Sequence, residues 1–214
     1  LPFVTCKLAI SKDYFTVNNK KKWITNFYSR SRVHLIRSQH DCILTSINTI
    51  REDNPRLNCR IKGLEDRSPC IIILDKHLKI PINSNIVKNS KKNNILIFYN
   101  KGNIKKIRLL KKLRIKLLKT SVDKENLLNL KNILTQIKKN GYSRIFLEAG
   151  LNLTQAFLKN NLVDDFYLFI SNDKIKNEGI LSFKKNFNIF LKNKKNKTQR
   201  INLFGDKMIL YNIK

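Results

Sequence analysis

The sequence predicts an α/β fold: a mostly parallel mixed sheet flanked by helices, with an antiparallel hairpin at its C-terminal edge. Three observations carry this. Strand and helix periodicities alternate through the middle of the chain. Short β-branched runs such as residues 71–74 suit strands buried on both faces. The tail then turns to strand signals without helices between them.

Taken in order, residues 2–10 alternate. Val4, Cys6, Leu8 and Ile10 face one way, and Thr5, Lys7 and Ala9 the other, giving a strand whose polar face carries Lys7. Residues 13–22 form a polar loop closed by Trp23-Ile24-Thr25, and residues 27–39 carry apolar side chains at helical spacing. A short buried strand at 41–45 leads to a second helix that stops before Pro55. Residues 71–74 and 95–99 are strands, 104–112 a helix, and 115–117 an alternating strand. Leu127, Leu130, Leu134 and Ile137 keep the spacing of an amphipathic helix that Gly141 ends. A strand at 144–147 runs into Glu148-Ala149-Gly150, with a helix beyond it and another strand at 166–170. From Phe187 three strand candidates follow, the last two joined by a Gly205-Asp206 hairpin turn. No repeat or low-complexity linker interrupts the chain, so one domain is expected over residues 1–214.

The formal net charge is +29, from 44 Lys and Arg against 15 Asp and Glu. Such a balance raises nucleic acid or an anionic surface as partner. The charge is spread as Lys mixed with Asn and Ile, and few aromatic residues sit inside the basic runs. Non-specific attraction of polyanions at low salt is therefore expected, and sequence-specific nucleic-acid binding is not. No apolar run approaches the length that crosses a bilayer, and no signal peptide is visible, so no membrane partner is expected. The chain opens Leu1-Pro2 rather than with Met, which suits a piece of a longer polypeptide. Cys6, Cys42, Cys59 and Cys70 form no C-x-x-C, and three of the four sit in or beside apolar strand-like runs and read as small buried hydrophobes in a reducing compartment. His34, His40 and His77 add no metal-ligand spacing, and the H-x-E and P-C-x-x-C pieces of a zinc deaminase are absent. No metal site is expected.

The polar residues that can carry chemistry cluster after strands. Arg37 and Arg60 bracket a strand–helix unit and could clamp an anion, or stand as a solvated pair. Thr49 and Asp53 can hydrogen-bond a ligand over the strand ends, or simply close a helix at an Asp-Asn-Pro turn. Glu148 ends a strand, and Lys7 is its natural cationic counterpart; the two can hold a polyhydroxyl substrate and exchange a proton, or form a plain ion pair. Gly150 before a helix can let a pyrophosphate approach free N–H groups, or simply make a tight strand-to-helix turn, and no G-x-G-x-x-G is present. Trp23 can stack on a heteroaromatic ring or anchor its loop. Lys76 can meet a phosphate on a dinucleotide ribose or remain a surface lysine.

The run at 37–60 resembles the reductase domain of the bifunctional riboflavin-biosynthesis deaminase/reductase. Arg37, Ser38, Asp41, Ile43, Leu44, Thr49, Asp53, Pro55, Leu57 and Arg60 stand in register with that family's pattern. The K-L-A-x-S-x-D run from Lys7 to Asp13, the W-I-T from Trp23, the E-A-G from Glu148 and the Val163-Asp164-Asp165 run extend the match. The resemblance implies a dihydrofolate-reductase-like fold and an enzyme that passes a hydride from NADPH to the ribose C1′ of a ribosylaminopyrimidine phosphate. It implies NADPH contacts at Ala9, Trp23, Thr49, Asp53, Lys76, Gly150, Leu151, Asn152, Leu153, Thr154, Gln155 and Ala156. Substrate would be held by Lys7, Lys21, Arg37, Leu57, Arg60 and Glu148, the arginines acting on phosphate and Lys7 and Glu148 on the proton. A cytoplasmic dimer is the usual state in such a family. The sequence departs from the pattern at Tyr14, where glycine is usual, at Lys21, where a substrate-binding serine is expected, and after Ile170. The alternative these departures leave is a basic, catalytically silent relative of the same fold that binds polyanions.

Overall fold

The structure is a computed structural model that describes residues 1–16, 23–176, 179, 191 and 193–214. In chain order its elements are β1 (Phe3–Ile10), α1 (Phe27–Ser38), β2 (Cys42–Ser46), α2 (Ile47–Asp53), β3 (Cys70–Leu74), α3 (Asn85–Lys88), β4 (Ile95–Tyr99) and α4 (Ile104–Lys112). There follow β5 (Lys116–Lys119), α5 (Leu130–Lys139), β6 (Arg144–Glu148), α6 (Leu151–Lys159), β7 (Asp165–Ile170), β8 (Asn196–Thr198) and β9 (Lys207–Asn212). The chain forms two compact units, one of residues 1–3 with 37–146 and one of residues 4–36 with 147–214. Among the described residues no helix is long and apolar enough to cross a membrane.

In the first unit the strands lie in the order β5-β4-β3-β2, every pair parallel. Parallel strands covered on both faces must be apolar throughout. Accordingly β3 is buried along its whole length, with Ile72 and Ile73 fully enclosed. The edge strand β5 is more open and carries Lys116 and Lys119, charges that discourage pairing with a second edge. Each helix in this unit has a local cause. Ser46 is extended and its hydroxyl accepts from the Thr49 amide, which starts α2. Asn54 in the left-handed region, followed by Pro55, stops it. Asn129 caps α5 by accepting from the Asn132 amide.

That cap corrects one expectation: Leu127 keeps helical spacing but lies outside α5 and is exposed. Spacing marks a face, whereas the cap decides where the helix begins. At the other end the amides of Gly141 and Tyr142 donate to the carbonyls of Lys138 (3.0 Å) and Ile137 (3.3 Å), the paired bonds of a Schellman closure. Gly141 sits at φ +92.

In the second unit the order is β1-β7-β9-β8. β1 and β7 are parallel, with Lys7 beside Tyr167 and Ala9 beside Phe169. β9 runs antiparallel to both β7 and β8, so the C-terminal reversal is as expected. Phe157, Phe166, Leu168 and Phe169 fill the core of this unit. The connection between β8 and β9 is not the tight Gly205-Asp206 turn read from sequence. It spans residues 199–206, with Gly205 at φ +96 and the Asp206 carboxylate turned inward. The strand candidate beginning at Phe187 falls largely outside the described residues.

The carboxyl ends of β1 and β7 are tied together. The Ser171 amide donates to the Ile10 carbonyl (2.8 Å), and the Lys12 amide to the Asp173 carbonyl (2.9 Å). Asp13 accepts from the Ser11 hydroxyl (2.6 Å) and from the amides of Ile175 (3.0 Å) and Lys176 (2.8 Å). Desolvation alone would raise its pKa. These hydrogen bonds outweigh that and lower it from 3.8 to about 2.

Two stability predictions follow from these caps. A Cβ at Gly141 would meet nothing within 4 Å, so Gly141→Ala bears only the left-handed backbone penalty of about 1 kcal/mol, readable in a urea titration. A carboxyl depressed in the folded state stabilises above its unfolded pKa and loses that contribution as pH falls through the folded value. Between pH 4 and 2, wild type should therefore lose more stability than Asp13→Asn. Equal pH slopes for the two proteins would show that the Asp13 bonds contribute nothing.

Candidate active site

The polar residues singled out in sequence fall into two groups, one in each unit. In the first unit Thr49, Asp53 and Lys76 come after the carboxyl ends of β2 and β3, the side of an open parallel sheet where ligands lie, whereas Arg37 is in α1, ahead of β2. Thr49 is half-buried in the first turn of α2, its hydroxyl 3.2 Å from that of Ser46. Asp53 is the last residue of α2 and is exposed. An acid there opposes the helix dipole, so helix stability does not explain its position.

The chain then turns through Leu57, which is 2% exposed and held at φ +52. A left-handed non-glycine residue costs about 1–2 kcal/mol. The turn delivers Asn58 between the two arginines. Arg37, 7% exposed in the last turn of α1, donates from Nη1 to the Asn58 carbonyl at 3.0 Å. Arg60 donates from Nη1 to Asn58 Oδ1 at 3.1 Å. The structure thus brings Arg37, Leu57 and Arg60 together on one asparagine. Two guanidinium groups gathered this way concentrate positive charge that a phosphate would neutralise in bidentate geometry.

Asn58 gave no signal in the sequence beyond its place between Leu57 and Arg60. Lys76 follows β3 and is held by its backbone, whose carbonyl accepts from the amides of Asn100 and Lys101 (3.0 Å each). Its ammonium donates to the Asn126 carbonyl. Asp75, 1% exposed, fixes the same turn by accepting from the amides of Lys79 and Ile80 (2.8 Å each).

In the second unit Lys7 and Ala9 project from β1 on the opposite side to the fully buried Cys6, Leu8 and Ile10, and both are half-buried. The Lys7 ammonium lies 6.0 Å from the centroid of the Phe169 ring. Glu148 is the half-buried last residue of β6. Gly150 is the N-cap of α6, makes no side-chain cap and is exposed. A Cβ added there would meet nothing within 4 Å, so open space faces the first turn of the helix. Uncapped N–H groups behind open space suit a phosphate.

Within that turn Asn152 is exposed, and Leu153, Gln155 and Ala156 are half-buried. Leu151 and Thr154 point into the core, where Cys6 Sγ lies 3.8 Å from the Thr154 hydroxyl, so they can offer a ligand only backbone. Burial pushes the Cys6 thiol up to about 12, opposed by its hydrogen bond to Thr154, and all four cysteines are buried and free. They act as small apolar residues, one more than the three that the sequence suggests.

Trp23 is 54% exposed, with the Arg30 guanidinium 5.1 Å from its ring centroid. It borders a cleft of about 490 Å³ lined also by Thr25, Arg30, Ser171, Asp173 and Asp206. Lys21 lies outside the described residues.

Comparison with known proteins identifies the family and the fold. The model of the RibD C-terminal domain matches residues 2–172. Riboflavin biosynthesis protein RibD of Aquifex aeolicus is 31% identical over 182 residues, 84% of this chain and 48% of that protein. The 5-amino-6-(5-phosphoribosylamino)uracil reductase of Buchnera aphidicola from Acyrthosiphon pisum is 29% identical over 169 residues, 72% of this chain and 76% of that one. This chain thus spans about half the length of the RibD relative, and more of the Buchnera reductase.

Among solved structures, Acinetobacter baumannii RibD (form 1) superposes with a TM-score of 0.80 at 23% identity, over 100% of this chain and 58% of that one. A dihydrofolate reductase of Enterococcus faecalis, solved with NADP(H), gives a TM-score of 0.54 at 10% identity over 99% of this chain and 98% of that one. The fold is therefore dihydrofolate-reductase-like, and the chain belongs to the RibD C-terminal domain family.

Proposed function

We propose that this chain is the reductase domain of riboflavin biosynthesis, reducing the ribose of 5-amino-6-(5-phosphoribosylamino)uracil to the ribityl product with NADPH. The name borne by the Buchnera relative supports the substrate class. The observation that carries the reading is the convergence of Arg37 and Arg60 on Asn58, an arrangement that suits a phosphate, within the residues that the family model matches. On this reading residues 1–214 act as one reductase domain, the C-terminal part of a longer deaminase/reductase. The same reading makes the protein a cytoplasmic homodimer without a specific nucleic-acid partner.

Thr49, Asp53, Lys76, Ala9, Trp23 and the backbone from Gly150 to Ala156 would hold NADPH. The uncapped first turn of α6 and the open space at Gly150 fit its phosphates. When bound, NADPH supplies the reducing equivalents. The chain itself must hold the phosphoribosyl group and manage one proton. Arg37 and Arg60 fix the phosphate, and the strained Leu57 turn keeps both guanidinium groups in place. Lys7 and Glu148 hold ribose hydroxyls and move the proton that opening of the ribosylamine ring to an imine requires. Lys21 takes the place of the substrate-binding serine.

The rival, a silent polyanion binder, draws on the net charge of +29. NADPH oxidation with the deaminated substrate, at salt high enough to suppress polyanion binding, decides between them. Turnover in wild type that vanishes in Glu148→Gln and Lys7→Ala is the expected result. Absence of both turnover and saturable NADPH binding would leave the rival.

The two groups of residues should also separate. Arg60→Ala should raise the substrate KM roughly ten- to a hundredfold through a lost charge-assisted bond, with NADPH affinity unchanged. Asp53→Ala should weaken NADPH about tenfold and spare the substrate KM. Equal effects of both substitutions on NADPH would refute the division of roles.

A further inference from the structure

We propose that Asp206, in the connection between β8 and β9, is a positioning residue that sets Trp23 and, through it, the affinity for NADPH. The second half of this statement rests on the functional reading above; the first half does not. Asp206 lies beyond residues 2–172, the part of the chain that the family model matches.

Its carboxylate is 8% exposed and gathers donors from separate segments. Oδ2 accepts from the Asn26 amide at 2.9 Å and from the Ser29 hydroxyl at 2.6 Å, both at the start of α1. Oδ1 accepts from the Asn172 amide at 3.2 Å, just past β7. A buried charge needs such partners, and a carboxylate at a helix N-terminus also complements the dipole. Asn26 answers in kind: its Nδ2 donates to the carbonyls of Leu203 (2.6 Å) and Phe204 (3.2 Å). The rings of Tyr28 and Phe204 stack at 3.9 Å. Together these contacts clamp the first turn of α1 to the tip of the C-terminal hairpin.

Trp23 is held by that same turn. Arg30, one turn into α1, lies 5.1 Å from the Trp23 ring centroid and donates from Nη1 to the Thr25 carbonyl at 2.5 Å. The indole therefore rests on α1, and the start of α1 rests on Asp206. Trp23 and Asp206 line one cleft, so a shift at the carboxylate changes the wall that Trp23 forms. A cap that merely stabilised α1 would lower stability and leave the indole environment and the cofactor KM alone.

Trp23 is the only tryptophan, so its emission reads this segment directly. In Asp206→Ala the emission maximum should move to the red without NADPH present. The NADPH KM should rise roughly tenfold while kcat changes less than twofold. Ser29→Ala, which removes one donor and keeps the charge, should move both readouts the same way by less. If Asp206→Ala fails to fold by circular dichroism, Asp206→Asn is read in the same way, since its single amide oxygen can accept from Asn26 and Ser29 or from Asn172 but not from both sides. A lowered Tm with emission and KM unchanged would overturn the proposal. A shifted emission with unchanged KM would overturn the link to the cofactor. Wild type that binds no NADPH would remove that link together with the functional reading, and the emission shift would still decide whether Asp206 positions Trp23.

Discussion

Parallel pairing is the constraint on which the rest of this structure depends. Strands running the same way end on the same edge, and every carboxyl end there leaves backbone groups that something must satisfy. In the first unit Ser46 closes β2, and Asp75, Asn100 and Thr120 follow β3, β4 and β5. In the second unit Ser11 and Ser171 follow β1 and β7. Nearly all of these polar residues bond locally. Asp75 accepts two amides, Asn100 donates to the Thr120 carbonyl, and Ser11 and Ser171 bond to Asp13 and Asp173. Apolar strands thus deliver the chain into a fixed polar rim, from which Lys76 follows β3 directly and α2, with Thr49 and Asp53, follows β2.

Such a rim can carry strain. Leu57 in the left-handed region is set against a well-packed local structure: its side chain is enclosed, and the carbonyl and side chain of the next residue each receive a guanidinium. Strain of this kind persists only where the surroundings over-determine it, and it accumulates at sites that bind. The same logic places Asp53, an acid at the unfavourable end of α2, beside a turn that no helix rule requires. Left-handed residues also occur away from the proposed site, at Leu78 and Arg114 among others, so it is the pairing of that backbone with two guanidinium groups on the next residue that sets Leu57 apart.

What could be read in the sequence follows the same division. The bounds of β4 and α4 were read correctly from residues 95–99 and 104–112, because burial on both faces and helical spacing are properties of neighbouring residues. Leu127 was misread because spacing cannot see Asn129 capping the helix two residues later. Gly205-Asp206 resembles a tight turn in sequence, but Asp206 is bonded to the start of α1 and the end of β7, segments far away along the chain. Asn58 was invisible for the same reason: its two acceptors matter only once Arg37 and Arg60 arrive. The phosphate role proposed for Arg37 and Arg60 comes from family resemblance, whereas their meeting on Asn58 is evident only in three dimensions.

The charge of +29 must be reconciled with a stable fold, and the acids show how. Asp13, Asp41, Asp75, Asp123, Asp164 and Asp206 each accept backbone amides, so their carboxylates close loops and strand ends. Asp164 does this while also pairing with Lys214 at 2.7 Å. These are the carboxylates the fold needs, and a rise in lysine at solvated positions leaves them untouched. Surface lysines without such partners cost little stability, because water and salt screen them within about 10 Å at 0.1 M. They do act at longer range when salt is low, drawing anions toward the surface. Both ligands of the proposed reaction carry phosphate, so this field and the Arg37–Arg60 site pull in the same direction. The basic excess is then compatible with the proposed reductase, and it becomes a rival explanation only where binding is measured without screening it.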